Sequence, residues 1–400
     1  MKTLRLGDLA EIQSGHKFSS RDYVDDGYFL VRIGNLQDGW ISREQARYVR
    51  FAKNDPQARF ILCEGDILVS LTGDVGRVGV VNPEHLPAVL NQRVARLRLR
   101  GDSPVDRRFL VYFLRSETCR RWLNAASRGA AQQNVSVKAL LKMKIPVPSR
   151  RVQEQMVRRL DEAFKHIAVV RLVVEKNLQN VKALFQNALA LHFGAVTGQT
   201  LPLGSVCGFQ NGFIFQSRRF RPAGTPVLRI SNIQNEEITT DSLVFVDPAD
   251  YRENLDRYRV FPGDLVIALS GATTGKVGFN HTDTTFYLNQ RVGKFLPSRR
   301  LHLRYLFYFL LSKVEENHRQ SLGAAQLNLS VEQLRAMPLP LPPLPEQQAV
   351  VARLDAIREH TRILEGVFQR KMALLDELGQ ALLHEAFSGN VTLPRQLQTI

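Results

Sequence analysis

The sequence predicts an α+β fold: two homologous mixed α/β domains separated by a long two-helix antiparallel coiled coil, with a pseudo-two-fold axis relating the halves. Three observations predict it. The chain is written twice; each half passes once from short apolar runs to a long helical stripe; and both stripes keep a heptad rhythm.

The duplication sets the domain plan. LGDLAEIQSGHKF (6–18) returns as LGSVCGFQNGFIF (203–215), and LVRIGNLQ (30–37) as VLRISNIQ (227–234). EGDILVSLTGDVGRVG (64–79) returns as PGDLVIALSGATTGKVG (262–278), and LNQRV stands at both 90–94 and 288–292. RGAAQQNVSV (128–137) returns as LGAAQLNLSV (322–331), and IPVPSRRVQEQMVRRLDEA (145–163) as LPLPPLPEQQAVVARLDAI (339–357). The offset stays within 194–199 residues, too long a period for a solenoid, so each half has the same kind of task.

Within each copy the elements follow in one order. Short apolar runs punctuated by Gly, Asn and Asp, such as RFILCEGDILVSLTG, read as strands and turns. One helix comes late in each copy, around 106–127 and 301–321. A proline-containing lead-in follows, IPVPSR in one copy and MPLPLPPLP in the other; its matched position favours a structural approach over a proline-rich ligand. A long helix closes each half. Steps of four and three from Met156 give Leu160, Ala163, Ile167, Val170, Val174, Asn177, Val181, Leu184, Ala188 and Leu191. The same register in the second copy gives Val350, Leu354, Ile357, Thr361, Leu364, Phe368, Lys371, Leu375, Leu378, Leu382 and Glu385. Sustained a/d spacing predicts a coiled coil. The first helix leaves domain one and ends at domain two, so a packed pair must be antiparallel. The plan is a first domain over 1–148, a coiled-coil helix over 149–197, a second domain over 198–341, and a second helix with a tail over 342–400. A helix of about 40 residues spans about 60 Å, long enough to act as a spacer.

The composition limits the partners. A net charge of +16 points to a polyanion, with nucleic acid as the default. The most apolar stretch, IAVVRLVV, is too short to span a membrane, and the N-terminal MKTLRLGDLAEIQ has no apolar signal-peptide core. Cys63, Cys119 and Cys207 form no C-x-x-C pair, as expected of a chain in a reducing cytoplasm with neither disulfide framework nor zinc site.

Enzymatic readings fare poorly. LSGATTGKVGFN (269–280) approaches a phosphate-binding loop, but the interval is one residue short and Val277 stands where the magnesium-ligating hydroxyl belongs. The first copy shrinks the interval further and replaces the lysine with Arg77. No adenine-methyltransferase [DN]-P-P-[YF] clamp is present; NPEH (82–85) and DPAD (247–250) lack its second proline and aromatic. Asp66 and Asp264 follow Gly at equivalent places, which is turn chemistry, and His16 and His281 have no counterpart between copies. On charge alone, the alternative to a subunit of a larger machine is a stand-alone sequence-specific or architectural DNA-binding protein.

Taken in order and duplicated, the LGD/LGS start, the GD strand with its glycine loop, LNQRV, GAAQ-x-N-x-S and the QQ…RLD helix start resemble the specificity subunits of type I restriction–modification systems. The resemblance covers essentially the whole chain, although VPSRRVQEQ departs from the usual LPP-x-x-QQ. It implies two target recognition domains reading a bipartite double-stranded DNA site, joined by the coiled coil. It implies two adenine-N6 methyltransferase subunits and restriction/translocase subunits as partners. S-adenosylmethionine, ATP and Mg belong to those partners, leaving this chain non-catalytic and without a cofactor or metal of its own.

Candidate DNA-contacting residues follow from the chemistry of base readout, Arg/Lys to guanine and Asn/Gln to adenine. Features shared by both copies are scaffold or phosphate candidates: Arg32/Arg229, Asn35/Asn232, Arg77/Lys276, Asn91-Gln92-Arg93 and Asn289-Gln290-Arg291. Specificity candidates lie where the copies differ: His16, Lys17 and Arg21 in the first, Arg218, Arg219 and Arg221 in the second. The turns at 129–134 and 323–328 are candidates to brace domain against coil or to meet a partner.

Overall fold

The structure, a computed structural model, describes residues 2–52, 54–127, 134–194, 199–271, 273–313 and 329–388. The chain divides into two compact units, residues 1–174 with 370–400, and residues 175–369. Two long helices, Arg150–Gly194 and Leu344–Ser388, each give their first part to one unit and their second part to the other.

In the first unit an antiparallel ribbon pairs Lys2–Arg5 with Lys144–Val147, so the proline-containing lead-in is a strand. A four-stranded antiparallel sheet runs in the order Ala10–Ser14, Val94–Leu99, Ile67–Ser70, Val78–Val80. A second sheet runs Tyr23–Val24, Tyr48–Val49, Tyr28–Val31, Ala88–Leu90, its last pair parallel. The run ILVS shows why two layers form. Ile67 and Val69 face a core shared with the helices, while Leu68 faces the core under the second sheet. Successive strand residues point to opposite faces, so a fully apolar strand needs cover on both.

The second unit repeats the scheme. Its ribbon pairs Thr200–Pro202 with Pro338–Pro340. Its larger sheet runs Cys207–Asn211, Val292–Pro297, Leu265–Ala268, Val277–Phe279, and is extended by Glu237–Ile238 and Ile233–Gln234. The smaller sheet runs Val244–Val246, Thr225–Leu228, Phe286–Leu288, Arg259–Val260. Leu265 and Ile267 again face the helical core, and Val266 and Ala268 the other.

The repeated Q…RLD sequence ties each long helix to its domain. Gln153 is fully buried; its Oε1 accepts from the Asp106 amide at 2.7 Å and its Nε2 donates to the carbonyls of Pro104 and Pro148 at 3.0 and 2.9 Å. Gln347 does the same with the His302 amide and the Arg300 and Pro342 carbonyls. Two turns on, Asp161 accepts from Tyr112 Oη at 2.7 Å and pairs with Arg108 at 2.5 Å. Asp355 takes Tyr308 and Arg304 in the same way. The departure VPSRRVQEQ therefore leaves this anchor intact.

Within each unit the helix segments pack antiparallel. In the first unit Phe164 lies against Gly379 and Arg171 pairs with Asp376, so rising numbers on one helix meet falling numbers on the other. In the second unit Phe185 and Leu189 share a core with Val350, Val351 and Leu354. Met156, Leu160, Ile167, Val174, Val181, Val350 and Leu354 are buried as the heptads require, and Ile357, Phe368, Leu375 and Leu382 are half-buried. Val170, Leu184, Leu191, Leu364 and Leu378 are not: they are 47%, 54%, 75%, 40% and 48% exposed. The buried stripe passes instead from Val181 to Phe185 and Leu189, and on the second helix ends on Leu383, Ala386 and Phe387. A straight helix drifts by about 20° per heptad, so a strict four-three count slides off the packed face.

Candidate nucleic-acid interface

Three loops meet at one end of each two-sheet domain. In the first, the backbone of Ser14-Gly15-His16 crosses the turn Asn91-Gln92-Arg93: His16 N–H donates to the Leu90 carbonyl at 3.1 Å and Gln92 N–H to the His16 carbonyl at 2.8 Å. Leu71, at the head of the glycine hairpin, donates to the Arg93 carbonyl at 2.9 Å, and Asn91 to the Val31 carbonyl at 3.3 Å. The second domain repeats each bond, with Phe213 and Leu288, Gln290 and Phe213, Leu269 and Arg291, and Asn289 and Leu228. Glycine is required at the crossing. A Cβ on Gly15 would stand 2.3 Å from the Asn91 carbonyl oxygen, and one on Gly212 2.0 Å from that of Asn289.

The structure sorts the candidates by what their side chains already hold. Asn35 and Asn232 are buried and leave the interface: each accepts from the Arg32 or Arg229 amide at 3.1 Å and donates to a loop carbonyl, of Ser42 at 3.0 Å or Asp241 at 2.9 Å. Arg32 and Arg229 close the same loops through the Gln45 and Ser242 carbonyls, each at 2.7 Å. These four residues build a loop staple, and amides buried and bonded within it are out of reach of a base. Arg77 is held by Asp74 at 2.6 Å. Arg221 is held by Asp247 and Asp250, Arg219 by the Asp250 carbonyl over the Tyr251 ring, and Arg218 by Gln216. Among the described residues the side chains of Lys17, Arg21, Gln92, Arg93, Lys276, Gln290 and Arg291 are exposed and take no partner. The turns at 129–134 and 323–328 lie outside the described residues apart from Asn134, which bridges to Thr72 in the glycine hairpin.

Beside each crossing stands an aromatic cluster that composition did not reveal. His16 meets Phe18 at 4.9 Å and Phe60 at 5.5 Å between ring centroids, and Phe213 meets Phe215, Tyr251 and Tyr258 at 5.0–5.6 Å. The signal was available in the H-K-F and F-I-F spacing, with alternate residues on one side.

The glycine hairpins join antiparallel strands, Ile67–Ser70 to Val78–Val80 and Leu265–Ala268 to Val277–Phe279. A phosphate-binding loop leads from a strand into a helix N-terminus, and neither hairpin does. Asp66 caps its turn by accepting from the Cys63 amide at 2.9 Å and is locked by Arg98 at 2.9 Å; Asp264 accepts from the Phe261 amide and Lys294 Nζ. Burial pulls the Arg96 guanidinium below its ordinary value, with Asp66 acting against it, while the hydrogen bond to Asp66 raises Arg98. Burial also pushes the Cys119 thiol up to about 12 and Cys207 up to about 11, so neither offers a thiolate at neutral pH. No group of three or more His, Cys, Asp or Glu is placed to hold a metal among the described residues, and no described helix is long and apolar enough to cross a membrane.

Two copies of one loop frame, each set on a domain locked to paired helices, define an internally duplicated two-domain protein. The family model for the type I restriction modification DNA specificity domain matches residues 1–172 and 196–369, and the chain belongs to that family. The MjaVIII specificity subunit of Methanocaldococcus jannaschii is 26% identical over 192 residues, 47% of this chain and 45% of the relative. The chain thus spans less than half the length of that relative, whereas its match to the EcoKI specificity subunit of Escherichia coli, 22% identical, covers 93% of this chain and 84% of the other. Two solved structures share the fold. A chain from a study of complex assembly and conformational transition of the type I R-M system has a TM-score of 0.73 at 19% identity, covering 96% of this chain and 97% of that one. The HsdS subunit from Thermoanaerobacter tengcongensis has a TM-score of 0.50 at 20% identity, covering 97% and 96%.

Proposed function

We propose that this chain is the DNA sequence-specificity subunit of a type I restriction–modification complex, binding a bipartite asymmetric site with one domain per half-site. The observation that carries the reading is the duplicated loop frame: the same backbone bonds in both domains, with different exposed side chains mounted on them. A shared frame suits a shared way of meeting the duplex, and divergent side chains suit two different half-sequences. The coiled-coil helices set the spacer between the half-sites and carry two adenine-N6 methyltransferase subunits, with restriction/translocase subunits joining the assembly. S-adenosylmethionine, ATP and Mg are used by those partners; this chain contributes recognition and scaffolding in the cytoplasm, and no chemistry.

The test is to co-express the chain with its methyltransferase subunits and map N6-methyladenine across a genome. Methylation at one discontinuous two-part motif is expected. Methylation at an undivided motif, or none above background with an intact complex, contradicts the reading.

A further inference from the structure

We propose that Lys17 and Ile214 are the equivalent base-reading side chains of the two domains, Lys17 selecting a G·C pair through guanine O6/N7 and Ile214 an A·T pair through the thymine methyl group. The proposal rests on the reading above, that each domain meets one half-site.

The two positions coincide within the frame. Each follows directly on the residue that bridges to the Asn-Gln-Arg turn, His16 to Asn91 and Phe213 to Asn289. Their flanking side chains meet each other, His16 with Phe18 at 4.9 Å and Phe213 with Phe215 at 5.0 Å, so the middle residue of each triplet turns away from the rings. Lys17 is exposed and Ile214 is 67% exposed. Exposure of a single isoleucine carries no weight by itself. The placement does: both residues stand beside an exposed Gln-Arg pair, Gln92-Arg93 or Gln290-Arg291, that is the same in the two copies. Identical neighbours cannot tell one half-site from the other. The arginine candidates of the second domain are already held, Arg221 by two carboxylates, Arg219 by a carbonyl and a ring, and Arg218 by Gln216. At the Lys17/Ile214 position the geometry is shared and the chemistry is opposite, a three-donor cation against an apolar β-branched group. In the major groove these discriminate in opposite senses, the ammonium toward guanine acceptors and the aliphatic group toward the thymine methyl.

The experiment uses the full complex with methyltransferase subunits and compares wild type, K17I and I214K by methylome mapping. Competition binding to duplexes substituted one base pair at a time supplies a second measurement. K17I is expected to lose about tenfold or more of its discrimination for one G·C pair in one half-site, leaving the other half untouched. I214K is expected to lose preference for an A·T pair, and to gain one for G·C, in the opposite half only. Unchanged motifs in both variants, or a uniform fall in affinity across all duplexes, overturn the assignment; the uniform fall would place Lys17 on a phosphate. If wild type itself gives no two-part motif, the underlying reading fails instead. Both positions are exposed, and unchanged melting temperatures separate a readout effect from misfolding.

Discussion

Gln153 illustrates how much one side chain can hold. It satisfies one amide and two carbonyls at the junction between the ribbon, the domain helix and the first long helix, entirely out of solvent. Gln153→Leu keeps the volume but strands the Asp106 amide and two proline carbonyls. Such groups cost about 1–3 kcal/mol each when left unpaired, so the loss should be roughly 2–4 kcal/mol after relaxation. A urea midpoint unchanged within error would show that the glutamine only fills space. The sequence carried this residue in plain view, in the matched QE/QQ of the two copies, yet its role was illegible because two of its three partners, the Asp106 amide and the Pro104 carbonyl, lie 47 and 49 residues away in the chain. Arg32 and Asn35 misled in the opposite direction. Repeated polar residues read equally well as an interface or as a loop staple, and the bonds they already hold separate them.

At the scale of elements, the long helices were legible in length and partnership but not in phase. The apolar stripe identifies them, and the drift of a straight helix moves its end from Leu184 to Phe185 and Leu189. The end of the second helix matters most for the first unit. Phe387 is 7% exposed and packs edge-on against Phe109 and Phe113 at 5.4 and 5.5 Å. Phe387→Ala should destabilise that unit by about 3–4 kcal/mol through lost burial and a residual cavity. Hydrogen exchange checks it: amides of Phe109–Leu114 should lose protection, while those of Tyr305–Leu311, in the other unit, should change far less. Equal loss in both places would mean that the two cores do not respond separately.

For the whole molecule, duplication is the fact with the widest reach. It was readable from the sequence alone, because near-identical segments at a fixed offset need no structural knowledge to recognise. The layering within each copy was harder. Runs such as ILVS and LVIA look like simple strands, and only the structure shows that alternate residues serve two different cores. If each domain reads its own half-site, exchanging residues 1–145 for the matching domain of a relative should rewrite one half of the methylated motif and leave the other as it was. Sequencing the methylome of the hybrid checks this, and a change in both halves would defeat the modular reading.

The first unit is assembled from chain that is far apart in time as well as in sequence. Its core includes Leu383, Ala386 and Phe387, which the ribosome delivers only after the entire second domain has been made. At about 5–20 residues per second, the strands around Ile67 wait well over ten seconds for the side chains that complete their helical cover. During that interval apolar surface on Phe109 and Phe113 stands open. The nascent first domain therefore stays partly uncovered the longest, and the second, whose last buried core residue is Leu354, waits far less.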